Sequence, residues 1–539
     1  MTQIDAVVIP AMTPPMSPPM SPPMSPPMSP LEAFRSGALR DFHRVAAGDL
    51  AGALENTHPA NRATLCTALE AYQKRIGAPK AALEAVRALA HPNSRVIVTG
   101  QQAGLLGGPA YTFYKAISTI VLARQLSTED RPVVPVFWVA SQDHDAEEVR
   151  ETWLLDLEER EHHLQLPLQN GKPVGRIPLE PGWVSGILEA LRAFKGQPDH
   201  QAWVLGLVEA ATNNATSYAD WFAKLISSIL GPNGLIVFDP LEPGLAALFT
   251  PFLRHELDHP LAGPEAIETA AEKLEAQGFA AQLRRPPGST NLFLECDDGE
   301  RRLLKFDGTH FLADRTYSRA DLETILESDP SRITPAAGLR PILADAVLPT
   351  AVSVLGPSEL AYQLELGGVY ELHGIPQPLL WPRLSVTWLE PPVKRILERY
   401  GLTVQAFTAD PTGTLERLML SRSGAGDDLD AGLRDLETAF AKLQAEIAPL
   451  DETLLGALER SRSRVLGHVA RLEGKIAKAL INREETSTRQ FSRLNAHLMP
   501  AGIPQERRTN FLSQLMKFGP VLIERLLKLE ATGSNHLEV

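Results

Sequence analysis

The sequence predicts an α/β protein: a doubly wound parallel sheet carrying insertions, followed by a helical C-terminal third. Three observations predict it. "RVIV" (95–98), the glycine-rich "TGQQAGLLGG" (99–108), the periodic "YTFYKAISTIVLARQL" (111–126) and the apolar "PVVPVFWVA" (132–140) follow one another as strand, turn, helix and strand. Later apolar runs, "GLIVFDP" (234–240), "LPTAVSVLG" (348–356) and "PQPLLWPRLS" (376–385), supply further strands of the same kind. From Leu429 onward, apolar residues recur at alternating spacings of four and three, the seam of a coiled coil.

Taken in order, residues 1–30 contain the repeat "PPMSPPMSPPMSPPMSP" (14–30). So many positions without an amide donor exclude helix and central strand, so a disordered, solvated tail is expected there. Residues 31–94 read as N-terminal helices, Leu31–Leu50 and Arg62–Leu89. The core is expected over 95–390. Its first helix places Tyr114, Ile117, Val121 and Leu122 at helical spacing. Residues 150–230 are amphipathic and mixed, which suits an insertion. Helical patterns fill 241–277, and short alternating runs with Pro-Gly and Asp-Gly signals at 280–330 suggest a small antiparallel insertion. Residues 391–424 read as a linker and 425–539 as a helical coiled-coil domain. There Leu429, Leu433, Leu436, Phe440, Leu443, Ile447, Leu450 and Leu454 form one seam, interrupted by Pro449. Val465, Val469, Leu472, Ile476 and Ala479 form a second. Two seams in succession make an antiparallel hairpin or pair with another subunit.

Composition narrows the function. Among 539 residues, 52 Lys and Arg stand against 65 Asp and Glu, a net charge of −13 with no concentrated basic run, so no nucleic-acid partner is expected. Cys66 and Cys296 are the only cysteines, far apart and without a CxxC, which argues against a disulfide framework or thiolate metal site and fits a reducing, cytoplasmic compartment. No apolar stretch reaches the ~18–20 residues of a membrane span.

The candidate chemistry gathers at predicted strand ends. Gly100, Gly104, Gly107 and Gly108 allow close backbone approach, and the helix that follows offers free N–H groups to an anion. The spacing matches neither the dinucleotide nor the P-loop fingerprint. Gln101 and Gln102 are placed to read a polar ligand. Lys115 lies one turn beyond Tyr111 on the same helix face, where a solvated lysine is the alternative. "SQDHDAEEV" (141–149) puts Asp143, His144 and Asp145 just past a buried strand. A histidine between two carboxylates suits acid–base work, with its pKa raised by them, or a hard metal; a helix N-cap with acidic first-turn residues is the plainer reading. In "GPSELAYQLE" (356–365), Ser358 and Glu359 begin a helix, with Tyr362 and Gln363 a turn later, and Arg383 in "WPRLS" is placed to grip a carboxylate or phosphate.

"VTGQQAGLLGGPAYTFYKAI", "PVFWVASQDHDAEEV", "LGPSELAYQLELGGVYELHGIPQPLLWPR" and the late "PQERRTNFLSQLMKFG" resemble the bacillithiol biosynthesis cysteine-adding enzymes, the BshC family, from about residue 31 to the C-terminus. The resemblance implies a Rossmann-like core akin to nucleotidyltransferases and class I aminoacyl-tRNA synthetases, two connecting-peptide insertions, a coiled-coil domain and a homodimer. It implies a ligase that joins L-cysteine to the amine of glucosaminyl-malate, the last step to bacillithiol, and admits ATP or another adenine nucleotide, with Mg²⁺, as cofactor. The HIGH-type and KMSKS-type motifs of the related superfamily are absent from the chain. From their shared place at predicted strand ends and turns, Gly100–Gln102 and the following helix start are expected to bind the nucleotide or another anion, and the roles of the other candidates follow from the same placement. Asp143, His144 and Asp145 orient the amine or take its proton, and Lys115 and Arg383 neutralise carboxylates. Tyr111, Ser141, Ser358 and Glu359 complete the binding set, and no protein-held metal is expected. The alternatives are a nucleotidyl- or aminoacyl-transferring enzyme acting on another amine, and a nucleotide-sensing coiled-coil scaffold.

Overall fold

The computed structural model describes residues 29–56 and 58–539. Most of the proline-rich tail therefore lies outside the described residues. Ser29 and Pro30 belong to the fold instead: Ser29 caps the helix Pro30–Ser36 in a capping box with Glu32. The two expected N-terminal helices are each divided. Gly37 (φ 80°) ends the first early, and the chain becomes helical again only at Leu50–Glu55. Gly77 (φ 70°) and Pro79 separate Arg62–Arg75 from Lys80–Leu89.

Five parallel strands form the central sheet: β1 (Arg95–Gln101), β2 (Val133–Val139), β3 (Ile236–Phe238), β4 (Thr350–Leu355) and β5 (Leu379–Pro382), in the order β5-β4-β1-β2-β3. The pairing of β1 with β2 runs in register from Arg95–Val133 to Gln101–Val139. Every residue of β2 is buried, which explains its unbroken apolar run. The chain lays down β2 and β3 on one side of β1, then returns to add β4 and β5 on the other. The order therefore reverses between β1 and β4, and a crevice opens beyond their carboxyl ends.

Between β1 and β2 runs α1 (Tyr111–Leu126), matching the predicted helix residue for residue. It is buried from Thr112 to Ala123 on all faces rather than on one stripe. The sheet covers one side. The other is covered by β6 (Leu384–Leu389) and by Phe511, whose ring lies 5.1 Å from Phe113 and 5.9 Å from Tyr114.

Both expected insertions are present. The first is an antiparallel hairpin, Glu151–Leu155 with Glu161–Gln165, followed by the helices Pro181–Ala193, Pro198–Ala210 and Tyr218–Leu230. The second is a five-stranded antiparallel sheet whose central members are Ser289–Glu295 and Arg301–Phe306, closed at one edge by Ile333–Pro335. Three helices then frame the core near its switch point: α2 (Arg340–Val347), α3 (Pro357–Gln363) and α4 (Gly367–His373).

The segment expected as a linker is helical, Pro391–Tyr400, Val404–Ala409 and Pro411–Ser423. Val393, Ile396 and Phe407 from it join Phe491, Leu494 and Leu498 in a separate apolar cluster. The first heptad seam falls on α5 (Ala425–Ile447) as far as Ile447, with Leu450 and Leu454 in the connection, and the second falls on α6 (Leu455–Ile481). The two helices pack on each other on either side of Pro449. The last residues leave this hairpin. On α7 (Phe511–Phe518), Phe511, Leu512, Leu515 and Met516 enter the main core, and β7 (Gly533–Glu538) pairs in parallel with β6. No helix among the described residues is long and apolar enough to cross a membrane.

Candidate active site

A cavity of about 590 Å³ occupies the crevice beyond β1 and β4. Its walls come from the end of β1, the glycine-rich turn, the start of α1, and from α2 and α3. The turn folds tightly on itself: a Cβ on Gly104 would come within 2.8 Å of the Gly108 Cα. Leu106 sits at φ 56°, a conformation that a leucine holds only when its surroundings impose it. The imposing group comes from the far end of the chain. Asn510 Nδ2 donates to the carbonyls of Leu105 (3.3 Å) and Leu106 (3.1 Å), and the Ala110 N–H donates to Thr509 O at 2.9 Å.

Lys115 is 2% exposed, which corrects the solvated reading. The covering of α1 on both sides leaves the Lys115 side chain almost no exposed surface, although it lines the cavity. Its Nζ donates to Gly100 O and Gln101 Oε1, both at 2.9 Å, and pairs with Glu359 Oε2 at 2.5 Å. Burial lowers its pKa, against the pull of Glu359. Glu359 also accepts from the Gly356 N–H at 2.7 Å, fixing the start of α3. Gln101 Nε2 reaches the Tyr111 hydroxyl at 3.1 Å. One buried cross-link thus holds β1, α1 and α3 together around the cleft, and Gly100, Gln101, Gln102, Tyr111, Lys115, Ser358, Glu359 and Arg383 all line it.

The acidic–histidine group stands behind this wall. Gln102 Nε2 donates to Asp143 Oδ2 at 3.0 Å, and Asp143 Oδ1 accepts the His144 N–H at 2.9 Å. Burial raises the Asp143 pKa, but Gln102, Arg301 and Arg340 outweigh it and hold the carboxyl below its ordinary range. His144 Nδ1 lies 3.0 Å from Arg301 Nη1. A guanidinium only donates, so Nδ1 accepts and the ring proton sits on Nε2. Burial and Arg301 push the imidazole pKa down, more than Asp143 and Asp145 raise it. The expected carboxylate-raised histidine is therefore overturned: the second insertion brings a cation to it. Phe293 of that insertion lies 5.5 Å from the His144 ring and 3.9 Å from Arg301 Cζ. Asp145 Oδ1 accepts the Glu147 N–H at 3.0 Å, but residues 145–149 form turns rather than a helix, so the helix N-cap reading of this segment is corrected: Asp145 closes a local turn. Ser141 turns away from the cleft and donates to Asp239, whose buried carboxyl is raised to about 6.

Arg383 makes the two-pronged contact its position suggested, but with the protein's own Glu506, at 2.6 Å and 2.9 Å. The cations left facing the cavity are Arg340 on α2 and Arg507 from the segment Gln505–Arg508. Arg340 meets the Tyr362 hydroxyl. Among the described residues neither arginine has a carboxylate partner within ion-pair distance, whereas Lys115 and Arg383 both do. The wall also holds Thr112 Oγ1 and Trp138 Nε1, buried polar atoms with no hydrogen-bond partner. Sequence reading named none of Arg340, Arg507, Thr112 and Trp138 as site residues. Arg507 lay within the recognisable "PQERRTN"; Arg340 gave no local signal.

Residues 39–384 match the family described as bacillithiol biosynthesis BshC, N-terminal Rossmann-like domain, and 386–537 match its C-terminal coiled-coil domain. A protein of Thermus thermophilus named "Putative cysteine ligase BshC" is 43% identical over 460 residues, covering 84% of this chain and 90% of that one. Proteins of the same name from Salinibacter ruber and Symbiobacterium thermophilum are 33% and 34% identical, each match covering 87% of this chain and 86% and 87% of theirs.

Proposed function

The chain belongs to the bacillithiol biosynthesis BshC family, and from that premise we propose that this cysteine ligase joins the carboxyl of L-cysteine to the amine of glucosaminyl-malate in the cleft between β1 and β4. The observation that carries the choice of acceptor is the pair of arginines, Arg340 and Arg507, that face the cavity with no carboxylate of the described residues within ion-pair distance. A malyl group brings two carboxylates, and each charge-assisted hydrogen bond to a guanidinium contributes about 1.5–3 kcal/mol.

An adenine nucleotide fits the same wall. The unpartnered Thr112 Oγ1 stands within the first turn of α1, 3.5 Å from where a Gly108 Cβ would lie, and is a polar contact such a ligand can take up. When bound, ATP would supply the activation that amide formation in water requires. Mg²⁺ would arrive on its phosphates: among the described residues no group of three His, Cys, Asp or Glu is arranged to hold a metal. Asp143 positions Gln102, and His144 ties the second insertion to the cleft's back wall. The proposal places the enzyme in the cytoplasm as a homodimer, a second copy covering the exposed leucines of α5 and α6, among them Leu443 and Leu472.

Reconstitution tests the reading: purified protein, L-cysteine and glucosaminyl-malate, with and without ATP and Mg²⁺, followed by mass spectrometry for bacillithiol. ATP-dependent product is expected, and Arg340→Met should weaken glucosaminyl-malate binding by roughly tenfold to a hundredfold. A deletion strain that accumulates a different amine in place of glucosaminyl-malate would move the site to another acceptor.

A further inference from the structure

One carboxyl in the cleft wall has no part in the interactions above. Asp345, on α2, lines the cavity and is 2% exposed. Its Oδ2 accepts a 2.6 Å hydrogen bond from the Tyr370 hydroxyl of α4, and the Thr350 hydroxyl of β4 stands beside it. No cation among the described residues acts on it. The other carboxyls at the cleft are differently placed. Glu359 is bound to Lys115, and Glu148 stands at the solvent-exposed mouth, next to Gln102 and near Asp143 and Asp145.

We propose that Asp345 receives the acceptor's amine: its carboxylate holds the incoming ammonium and then keeps the proton that leaves the nitrogen. The inference rests on the reading of this cleft as the acceptor site. The step is a proton transfer and balances without a further reactant. The N–H bond breaks, an O–H bond forms on Asp345, and an ammonium–carboxylate pair becomes a neutral amine, with its lone pair free, beside a neutral acid. A buried site without a counter-ion favours the uncharged pair. Burial pushes the Asp345 carboxyl up to about 7. That lies close to the ~7.7–8.0 of an amine on a carbon bearing electron-withdrawing neighbours, so transfer is near balance in both directions.

The groups packed around Asp345 stay uncharged through neutral pH. Tyr370 and Tyr362 are raised above the ordinary tyrosine value, mainly by burial. His58, near the Asp345 main-chain carbonyl, is lowered to about 4, again mainly by burial. The charged neighbour on the same helix is Arg340, which does not titrate in this range. An acid limb in amine binding between about pH 5.5 and 8.5 therefore reports on Asp345.

Calorimetric titration of the full chain across that range, with glucosaminyl-malate and with malic acid as separate probes, tests the assignment. Wild-type affinity for glucosaminyl-malate should fall about tenfold per pH unit below about 7, and malic acid should show no such limb. Asp345→Asn should lose the limb, weaken glucosaminyl-malate about tenfold near neutral pH and leave malic acid unchanged. Tyr370→Phe keeps the carboxyl but removes the donor that favours its ionised form, so the limb should move to higher pH by up to about one unit. A limb that persists in Asp345→Asn overturns the proposal, and its loss in Glu148→Gln instead would assign the role to the mouth carboxyl. If wild type binds neither probe, the acceptor reading of the cleft fails before Asp345 is in question.

Discussion

In the α5–α6 hairpin no residue of α5 is buried, and Leu450 at its turn is 80% exposed. In the cleft, Lys115 is buried, and Asn510 grips the carbonyl of Leu105 from 405 residues away. Both regions are built around conspicuous sequence patterns, a heptad seam and a glycine-rich turn. They differ in what completes them. A heptad's neighbours lie three and four positions along the chain, so its helix is specified locally, and part of its apolar stripe stays exposed, as at Leu443 and Leu472. The glycine turn takes its shape from α1, α3 and a segment near the C-terminus that arrives after the whole core has been laid down. Disturbing the cleft should therefore unsettle the fold, and disturbing the hairpin should leave the monomer nearly as it was.

The sharpest way to break that contrast is Glu359→Gln. It leaves the Lys115 ammonium buried without its counter-charge, and removing one member of a buried pair costs about 3–5 kcal/mol. Glu359 is itself partly exposed, so the lower end, about 3 kcal/mol, is expected in urea unfolding. A change below about 1 kcal/mol would show that the cross-link does not hold the cleft together.

A pH test comes next. Burial raises Asp239 to about 6, against an ordinary value of 3.8, and the Ser141 and Leu241 hydrogen bonds only partly oppose it. Between those two values the folded chain holds a proton that the unfolded chain has released. The contribution of this group to stability is thus greatest below about pH 4, falls as pH rises to about 6, and is level above. Asp239→Asn removes the loss while retaining an oxygen for Ser141 and Leu241. Its stability relative to wild type should improve by about 2–3 kcal/mol between about pH 4 and pH 7. Urea midpoints at the two pH values measure this, and a constant difference would put Asp239 outside the sealed region.

The smallest effect belongs to the hairpin. Leu450→Ser should alter monomer stability by no more than about 0.5 kcal/mol, because the side chain is already in water. Thermal melts at low protein concentration would check it. A loss of about 2 kcal/mol or more would mean that the hairpin is packed as tightly as the core.

Much of the fold was legible because periodicity is a local property. β2 reads as a buried parallel strand from seven consecutive apolar-compatible positions, α1 was placed to the residue, and the heptads located α5 and α6. The predicted N-terminal helices divide where glycine takes positive φ, at Gly37 and Gly77, which apolar spacing by itself does not reveal. Of the cleft wall, the glycine turn, Gln101, Gln102, Lys115, Glu359 and Arg383 are legible in the sequence, because strand ends in a doubly wound sheet converge on one crevice.

Their partners were not found. Nothing near "SQDHDAEEV" announces that Arg301, from an insertion, will sit on His144 and lower its pKa. Nothing near "WPRLS" announces that Glu506 will meet Arg383. Side-chain spacing along the backbone is enough to say which residues form strands and helices and which polar groups gather at the strand ends. Which cations are neutralised, and which are left to face a ligand, is settled only when the chain is folded, because ion pairing and desolvation depend on distances between segments far apart in sequence.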